Sequence, residues 1–178
     1  MTIRDPRYAG ALLLAMILCV AGWDLFYFLT DDAFIAFRYI DQRRLGHGYV
    51  WNSTPWLPVE GYTSFAWILM LDALWSLTGL EPPDSANLLS LICSLLSVVV
   101  FSRWTLDILK RHHSEQACWP LFALSLLALI SHRCFLTWTS SGLETGLFNL
   151  LGYPAGVVPE TLVRKDEIGT RRVALAAP

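Results

Sequence analysis

Charged residues are scarce in this chain: Asp, Glu, Lys and Arg make up 16% of its 178 residues. Soluble domains carry about 25%. The charges cluster between long uncharged runs, and 54% of the residues are hydrophobic. This distribution argues against a soluble globular domain and is typical of an integral membrane protein. A net charge of −2 without a basic face excludes a nucleic-acid partner.

The sequence also lacks a cysteine framework, internal repeats and low-complexity tracts. Its four cysteines are isolated, and their spacing matches neither a disulfide scaffold nor a metal site. We interpret them as small core residues. No small-x-small cleavage site follows the first apolar run before Asp31, and the run is longer than the about 7–15 residues of a signal-peptide core. We therefore interpret this run as a retained transmembrane helix.

Four apolar segments stand out, namely Ala9–Leu29, Tyr62–Leu80, Leu88–Leu109 and Ala117–Trp138. A helix needs about 20 apolar residues to cross a bilayer. The second segment holds Asp72 near its middle, and an acid at the centre of a span costs about 2.5–3.5 kcal/mol. We predict a mainly α-helical, polytopic membrane protein with three spans. The second segment is either re-entrant or a fourth span.

A helix lying along the membrane surface is predicted directly after the first span. Thr30 suits its N-cap, two adjacent acids fall in its first turn, and Gly46 suits the position after its last turn. Apolar residues recur at helical spacing on one side, namely Phe34, Phe37 and Ile40. We expect this side to face the membrane. A loop rich in glycine and proline follows, up to Gly61.

The basic residues predict the orientation of the chain. Arg4 and Arg7 favour a cytoplasmic N-terminus, and the cluster Lys110–His113 favours the same side. Both assignments hold only if Tyr62–Leu80 does not cross the bilayer. We therefore predict a membrane protein whose N-terminus is cytoplasmic and whose second segment stays on the outer side.

This topology brings distant acids to one face. Asp31 and Asp32 then lie on the outer side, where the chain also emerges after the fourth apolar segment. Glu144 follows that segment, so it joins them although more than a hundred residues separate it from Asp32. The three acids are thus candidates for a common site.

The chain changes character after Leu151. Two prolines and a run of charged residues between Glu160 and Arg172 exclude another span. A further helix begins at Thr145 and is not continued as an apolar run. We expect residues 1–151 to form the transmembrane region and residues 152–178 to form an atypical polar tail. The tail would come from a truncated or frame-shifted reading frame, or would be an alternative C-terminus that serves a partner.

Three sequence motifs resemble a known family. DDAFI at 31–35 is followed by VEGYTSF at 59–65, and SGLET occurs at 141–145. They resemble the first outer loop and a second element of bacterial GT-C glycosyltransferases. That group includes the mycobacterial terminal arabinofuranosyltransferases and the pilin arabinosyltransferases. The resemblance covers residues 9–151, and Gly146 departs from the proline that is usual at its position.

Membership of that group implies a multi-pass enzyme embedded in the lipid bilayer of the bacterial cytoplasmic (inner) membrane. Such enzymes transfer a sugar from a polyprenyl-phosphate donor to a glycan or protein acceptor on the outer face. The reaction needs a base for the acceptor hydroxyl and positive charge for the leaving phosphate. The identity of the sugar and of the acceptor stays open.

The three acids are the catalytic candidates that the resemblance implies. Asp31 or Asp32 would be the base or a ligand of a divalent cation. The alternative is that both only complement the helix N-terminus, which is worth about 0.3–1 kcal/mol each. Glu144 would orient the acceptor or help to bind a metal, unless it is only a charge at a helix start. The cofactor is otherwise unknown, and no dedicated metal site is predicted.

Five further residues are candidates for donor binding. Arg38 and Arg133 would hold the donor phosphate, because guanidinium groups match phosphate geometry. For Arg133 the alternative is snorkelling to the interface. His47, Glu60 and Tyr62 are assigned to the donor pocket. The alternatives are that His47 caps a turn between two glycines, that Glu60 makes a hydrogen bond within its loop, and that Tyr62 packs against other side chains.

A different class of protein also fits the sequence. It is a small, non-catalytic multi-pass membrane protein, a subunit or a remnant, whose acids only anchor helix ends. If the family resemblance holds, the 178 residues correspond to the N-terminal part of an enzyme with more spans. We then expect them to be inactive alone, because the donor groove would lack a wall that excludes water. Binding of a polyprenyl-phosphate sugar distinguishes the two classes.

Overall fold

The computed structural model describes residues 5–57 and 59–152. Its helices, in chain order, are α1 (Pro6–Leu25), α2 (Asp31–Arg44), α3 (Phe65–Thr78), α4 (Pro82–His112), α5 (Glu115–Ser131) and α6 (Arg133–Trp138). Residues 145–152 are helical as well, and the described residues contain no strand. The mainly α-helical class is thereby confirmed. Arg4, Pro58 and the predicted polar tail from residue 153 onward lie outside the described residues.

Two of these helices, α1 and α4, are long and apolar enough to cross a membrane by length and composition. They contain 20 and 31 residues, which corresponds to about 30 and 46 Å at a rise of 1.5 Å per residue. The apolar helices α3 and α5 are shorter, with 14 and 17 residues. The first and third predicted segments therefore have the length of spans, whereas α3 does not.

The first helix starts and ends earlier than the predicted segment Ala9–Leu29. Asp5 caps it, because its carboxylate accepts a hydrogen bond from the N–H of Arg7 at 3.0 Å. Pro6 occupies the first helical position, where its missing N–H costs nothing. The helix ends at Leu25, and the next five residues connect it to α2.

The helix ends show which parts of the chain lie together. Tyr8, near the start of α1, packs against Trp119 at the start of α5, with ring centroids 5.5 Å apart. Near the other end of α1, Gly22 lies against the side chain of Leu136 in α6. The start of α1 therefore shares one end of the bundle with Lys110–His113. Helix α2 and the residues after α6 lie at the opposite end.

The predicted second segment forms α3, which does not cross the bundle. Thr63, just before α3, is hydrogen-bonded to Glu144. Helix α3 ends at Thr78, and α4 begins at Pro82 with its first turns beside the residues around Gly142. Both ends of α3 consequently lie at the same end of α4, as the predicted topology requires.

The acid within α3 is paired inside the protein. Asp72 is only 2% exposed. Its Oδ2 accepts hydrogen bonds from Arg43 Nε at 2.7 Å and from the Tyr49 hydroxyl at 2.5 Å, and Arg43 also forms an ion pair with it. A buried carboxylate needs such partners, because an unpaired charge in a protein interior is costly. This cluster joins the end of α2, the following loop and the middle of α3.

The long helix α4 takes part in two hydrophobic cores. One core lies between α1, α4, α5 and α6 and includes Cys19, Val98, Leu106, Phe122 and Phe135. The other lies between α2, α3, the first half of α4 and the helix that follows α6, and includes Phe37, Ile40, Trp67, Leu71 and Leu147. Helix α4 thus connects α2 and α3 with the bundle of α1, α5 and α6.

The ends of α2 agree with the sequence prediction. Thr30 caps the helix, with its hydroxyl accepting a hydrogen bond from the N–H of Asp32 at 3.0 Å. Gly46 has a φ of +89°. Its N–H donates to the carbonyl of Arg43 and that of His47 to Gln42, each at 3.0 Å. This is the Schellman arrangement that closes a helix with glycine.

The apolar side of α2 packs against α3 and does not face the membrane as predicted. Phe37 and Ile40 are buried against α3, where Trp67 and Leu71 belong to the same core. Phe34, which the prediction placed on this side, is 51% exposed. The prediction was wrong because α3, and not the membrane, covers Phe37 and Ile40.

The fourth predicted segment, Ala117–Trp138, is not one helix. Helix α5 ends at Ser131, and His132 has an extended backbone with φ −73° and ψ 104°. Helix α6 starts anew at Arg133. Both polar residues at the break are exposed, so the interruption keeps their side chains out of the apolar core between α1, α4 and α5.

Candidate active site

Hydrogen bonds join the two chain segments that carry the candidate acids. The N–H of Thr30, at the start of α2, donates to the carbonyl of Ser141 at 3.1 Å. The hydroxyl of Ser140 donates to the carbonyl of Phe26 at 2.6 Å. Both serines are fully buried. The start of α2 and the segment before Glu144 therefore form one unit, which agrees with the prediction that the two segments lie on the same face.

Gly142 allows this close approach. Its φ of +80° lies in the left-handed region, and an added Cβ would come within 2.5 Å of Leu29 Cδ2 and 3.3 Å of Ala33 Cβ. Its carbonyl accepts a hydrogen bond from Trp67 Nε1 at 3.2 Å. A glycine is needed here both for the backbone conformation and for the space.

A cavity of about 410 Å³ opens beside this unit. Its wall includes three of the predicted site residues, Asp32, Tyr62 and Glu144, together with Thr63, Trp67 and Phe148. The Thr63 hydroxyl donates to Glu144 Oε1 at 2.5 Å and so fixes the carboxyl group in place. We call this cavity the Asp32 pocket.

The Asp32 pocket has an acidic and hydroxyl-rich character. None of the described residues that line it is basic, whereas Thr63, Ser64 and Thr145 add hydroxyl groups. Within the described ranges no group of three or more His, Cys, Asp or Glu side chains forms a metal site. Asp32 and Glu144 are the two carboxylates of this lining.

Asp31 and Arg38 lie on the other side of α2. They line a second cavity of about 500 Å³. Arg38 Nε donates to the carbonyl of Trp51 at 3.0 Å, and its guanidinium lies 4.5 Å from the centroid of the Trp51 ring. The two adjacent acids of α2 therefore face different cavities, and Arg38 is not in the pocket that holds Asp32.

Three predicted donor-binding residues line neither of these two cavities. Arg133 is exposed at the start of α6. His47 and Glu60 are exposed in the segment between α2 and α3, and all three residues are absent from the walls of both cavities. The backbone of His47 completes the end of α2, which agrees with its alternative reading as a turn residue. Gly61, next to Glu60, does line the Asp32 pocket.

Gly146 lies in tight contact with α4. A Cβ at this position would lie 2.8 Å from the backbone carbonyl oxygen of Ser90 and 3.1 Å from Ser94 Oγ. The helix of residues 145–152 thus lies directly on the backbone of α4. A side chain of any size does not fit at this contact.

Sequence reasoning missed several residues of this region. Thr63 is hydrogen-bonded to Glu144, 81 positions away, and Trp67 to Gly142, 75 positions away. Contacts between residues so far apart leave no local sequence pattern. The pairing of Arg43 with Asp72 had a signal. An acid inside an apolar helix needs a partner, and the preceding helix ends in two arginines.

No family model, curated protein or solved structure matches this chain. The GT-C resemblance is carried by the DDAFI, VEGYTSF and SGLET motifs. Residues from all three motifs line the Asp32 pocket, namely Asp32, Tyr62 and Glu144.

Proposed function

We propose that this chain belongs to a membrane glycosyltransferase of the GT-C type, which transfers a sugar from a polyprenyl-phosphate donor to an acceptor. The observation that carries the proposal is the convergence of Asp32 and Glu144 on one pocket. The pocket lies at the end of the bundle opposite Lys110–His113. In a bacterial cytoplasmic membrane with the basic cluster inside, this end is the outer one.

The proposed topology has three spans. Helices α1 and α4 have the length and apolarity of spans. Helices α5 and α6 together run beside α1, from the contact of Trp119 with Tyr8 to that of Leu136 with Gly22. The third span is therefore a broken one, and α2 and α3 stay on the outer side.

Asp32 is the proposed base. It would take the proton from the acceptor hydroxyl as that oxygen attacks the sugar carbon and the phosphate leaves. Glu144, held by Thr63, would orient the acceptor or join Asp32 in holding a divalent cation. Such a cation, when bound, would neutralise the charge of the leaving phosphate. This role suits a pocket whose described lining contains no basic side chain.

The apolar part of the pocket suits a lipid-linked sugar. Tyr62, which is half-buried, provides an aromatic surface next to the acids. Phe148, also in the pocket wall, is 54% exposed. A sugar ring packs on aromatic faces, while the polyprenyl chain requires an apolar surface that continues to the bilayer.

Donor binding tests the proposal. The protein in lipid nanodiscs should bind a tritiated polyprenyl-phosphate pentose saturably, and EDTA should weaken this binding. Glu144→Gln should weaken it by at least about tenfold, and Asp32→Asn should do so only if Asp32 also holds the cation. Asp107→Asn, at an exposed position of α4 near the opposite end of the bundle, is the matched control and should bind like the parent.

Two results separate the roles of Asp32. If Asp32→Asn binds the donor normally, and the same substitution in a complete enzyme that carries this site lowers the transfer rate by about 10²–10⁴, the residue is a base and not a cation ligand. If the parent binds no polyprenyl-phosphate sugar, the proposed function is wrong and the non-catalytic class is favoured.

A further inference from the structure

A groove runs along the lateral surface of the helix bundle between α1 and α5. Its volume is about 460 Å³, and we call it the α1–α5 groove. Three exposed leucines lie in its walls, namely Leu14, Leu18 and Leu127. The small side chains of Ala11 and Ala123 leave space between them. In the proposed topology this apolar slot opens directly to the lipid.

The described lining of the groove contains one charged side chain, which is Arg7 at one end. Trp119, which is half-buried, lies at the same end, since its ring packs on that of Tyr8. Arg7 is exposed and forms no ion pair with any residue that the structure describes. This end of the bundle also carries Lys110–His113. An arginine and a tryptophan at the starts of two neighbouring helices are typical of a membrane–water interface.

Two acids lie near this end of the bundle but do not line the groove. Asp5 caps α1, where its carboxylate accepts a hydrogen bond from the N–H of Arg7 at 3.0 Å. Glu115 lies in the first turn of α5. Neither residue belongs to the lining. A ligand in the groove would therefore meet the guanidinium of Arg7 and no carboxylate of the described lining.

The length of the groove corresponds to one leaflet of a bilayer. On α1 the groove extends from Pro6 to Leu18, which is about 18 Å at a rise of 1.5 Å per residue. The hydrocarbon core of a bilayer is about 30 Å thick, so that one leaflet takes up about 15 Å. Beyond the groove, Leu136 of α6 packs on Gly22 of α1. A ligand in the groove would lie within one leaflet, with its polar end at Arg7.

We propose that the α1–α5 groove binds an anionic phospholipid of the leaflet on the side of Lys110–His113. Its phosphate pairs with the Arg7 guanidinium, which matches phosphate geometry. One acyl chain lies along Leu14, Leu18 and Leu127 and gains packing contacts in the slot. Basic pockets between transmembrane helices on the cytoplasmic side bind anionic head groups in this way. The inference uses the proposed topology but not the proposed sugar transfer.

Other occupants fit this groove less well. A further spanning helix needs a surface that continues across the whole bilayer. The groove ends at Leu18, whereas α1 continues to Leu25. A zwitterionic lipid would bring a quaternary ammonium close to the guanidinium of Arg7, and the two like charges repel each other. An anionic phospholipid avoids both conflicts.

Lipid binding to the purified protein in detergent tests this inference, measured by native mass spectrometry. The probes are phosphatidylglycerol and phosphatidylcholine with the same acyl chains. The parent should bind the first phosphatidylglycerol at least about tenfold more tightly than phosphatidylcholine. Arg7→Gln should abolish this preference. Ala123→Leu fills part of the slot and should weaken the binding of both lipids about threefold to tenfold.

Two matched variants are the controls, and both should bind lipid like the parent. Arg111→Gln removes an equal charge from an exposed position at the same end of the bundle. Ala128→Leu adds the same bulk at an exposed position of α5. Neither residue lines the groove. A thermal melt of each variant shows whether Ala123→Leu folds; if it does not, Arg7→Gln decides, since it changes only an exposed side chain.

The outcomes separate this inference from the proposed function. Equal affinity of the parent for both lipids overturns the inference. Equal loss of the preference in Arg7→Gln and Arg111→Gln also overturns it, because the basic surface as a whole would then attract the lipid. Tighter binding of oleate than of phosphatidylglycerol, or a dimer that Ala123→Leu disrupts, would identify another occupant and overturn it as well. Donor binding is measured on the same samples. A parent that prefers phosphatidylglycerol but binds no polyprenyl-phosphate sugar supports the lipid site and counts against the proposed function alone.

Discussion

At the scale of single residues, Asp72 determines how α2 lies on α3. Its Oδ2 is bonded to Arg43 and Tyr49, and neither partner is near it in sequence. The hydrogen bond to Asp72 raises the pKa of the Arg43 guanidinium, which stays charged. Burial, and then the hydrogen bond to Asp72, raises the pKa of Tyr49 above its usual 10.0. The cluster thus fixes the position of the helix that carries both candidate acids.

We predict that Asp72→Asn lowers the thermal stability of the protein. The substitution keeps the size of the side chain but removes the charge that Arg43 and Tyr49 bind. Hydrogen bonds to charged groups contribute about 1.5–3 kcal/mol each. The loss of one corresponds to a fall of about 3–12 °C in Tm for a chain of this size. Differential scanning fluorimetry in detergent measures it, with Asp107→Asn as the exposed control. An equal Tm for both variants would contradict the role of Asp72.

The pKa of Tyr49 predicts a loss of stability at alkaline pH. Because the pKa is raised in the folded state, the unfolded chain loses the Tyr49 proton first as the pH rises. The stabilisation is complete below about pH 10, the usual value, and is lost as the pH rises through the folded pKa. Tyr49→Phe should be less stable at pH 8 but should lose less stability between pH 9 and pH 11. Parallel curves for variant and parent would refute this.

At the scale of elements, the helix of residues 145–152 depends on Gly146. The backbone carbonyl of Ser90 leaves no space for a side chain at that position. We predict that Gly146→Ala destabilises the protein and weakens donor binding, because it pushes the segment after Glu144 away from α4. Gly10→Ala in α1 is the control, since its Cβ would meet no atom within 4 Å. The control should be neutral or more stable, by up to about 1 kcal/mol. Equal effects of the two substitutions on Tm would show that the contact at Gly146 is not tight.

The sequence predicts elements better where a local signal defines them. Thr30 and Gly46 mark the ends of α2, and both caps are observed. The break at His132 was not predicted, because the apolar residues continue on both sides of it. The burial of Phe37 and Ile40 was assigned to the membrane, since periodicity shows that a face is apolar but not what covers it. The prediction that Tyr62–Leu80 does not cross the bilayer came from Asp72 and from the basic residues, and the length of 14 residues for α3 was not predicted.

At the scale of the whole molecule, the arrangement of helices predicts which loops are accessible from each side. Glu60 is exposed at the end with the Asp32 pocket, and Gln116 is exposed at the opposite end. In a variant whose four native cysteines are replaced, Glu60→Cys should react with an impermeant thiol reagent in intact cells. Gln116→Cys should react only after the membrane is permeabilised. Labelling of both positions in intact cells would contradict the proposed topology. Ser140 is fully buried and would not report on either side.

The candidate site could be predicted only in part. The motifs pointed to Asp32, Tyr62 and Glu144, and these three residues do share a pocket. Asp31 faces another cavity, together with Arg38. Asp31 and Asp32 are adjacent in α2, and adjacent residues of a helix point about 100° apart. The contact of Thr63 with Glu144 depends on how α3 lies on α4, which the sequence does not state locally.

The most direct test of the central claim is photoaffinity labelling with a polyprenyl-phosphate sugar that carries a photoreactive group near the sugar. The protein is labelled in nanodiscs, digested and analysed by mass spectrometry. We predict saturable labelling within residues 61–68 and 143–148, which contain most of the residues that line the Asp32 pocket. Unlabelled donor should reduce this labelling. The apolar α1–α5 groove is lined by Leu14, Leu18, Ala123 and Leu127. Labelling confined to that groove, or labelling that unlabelled donor does not reduce, would contradict the claim that Asp32 and Glu144 belong to a donor site.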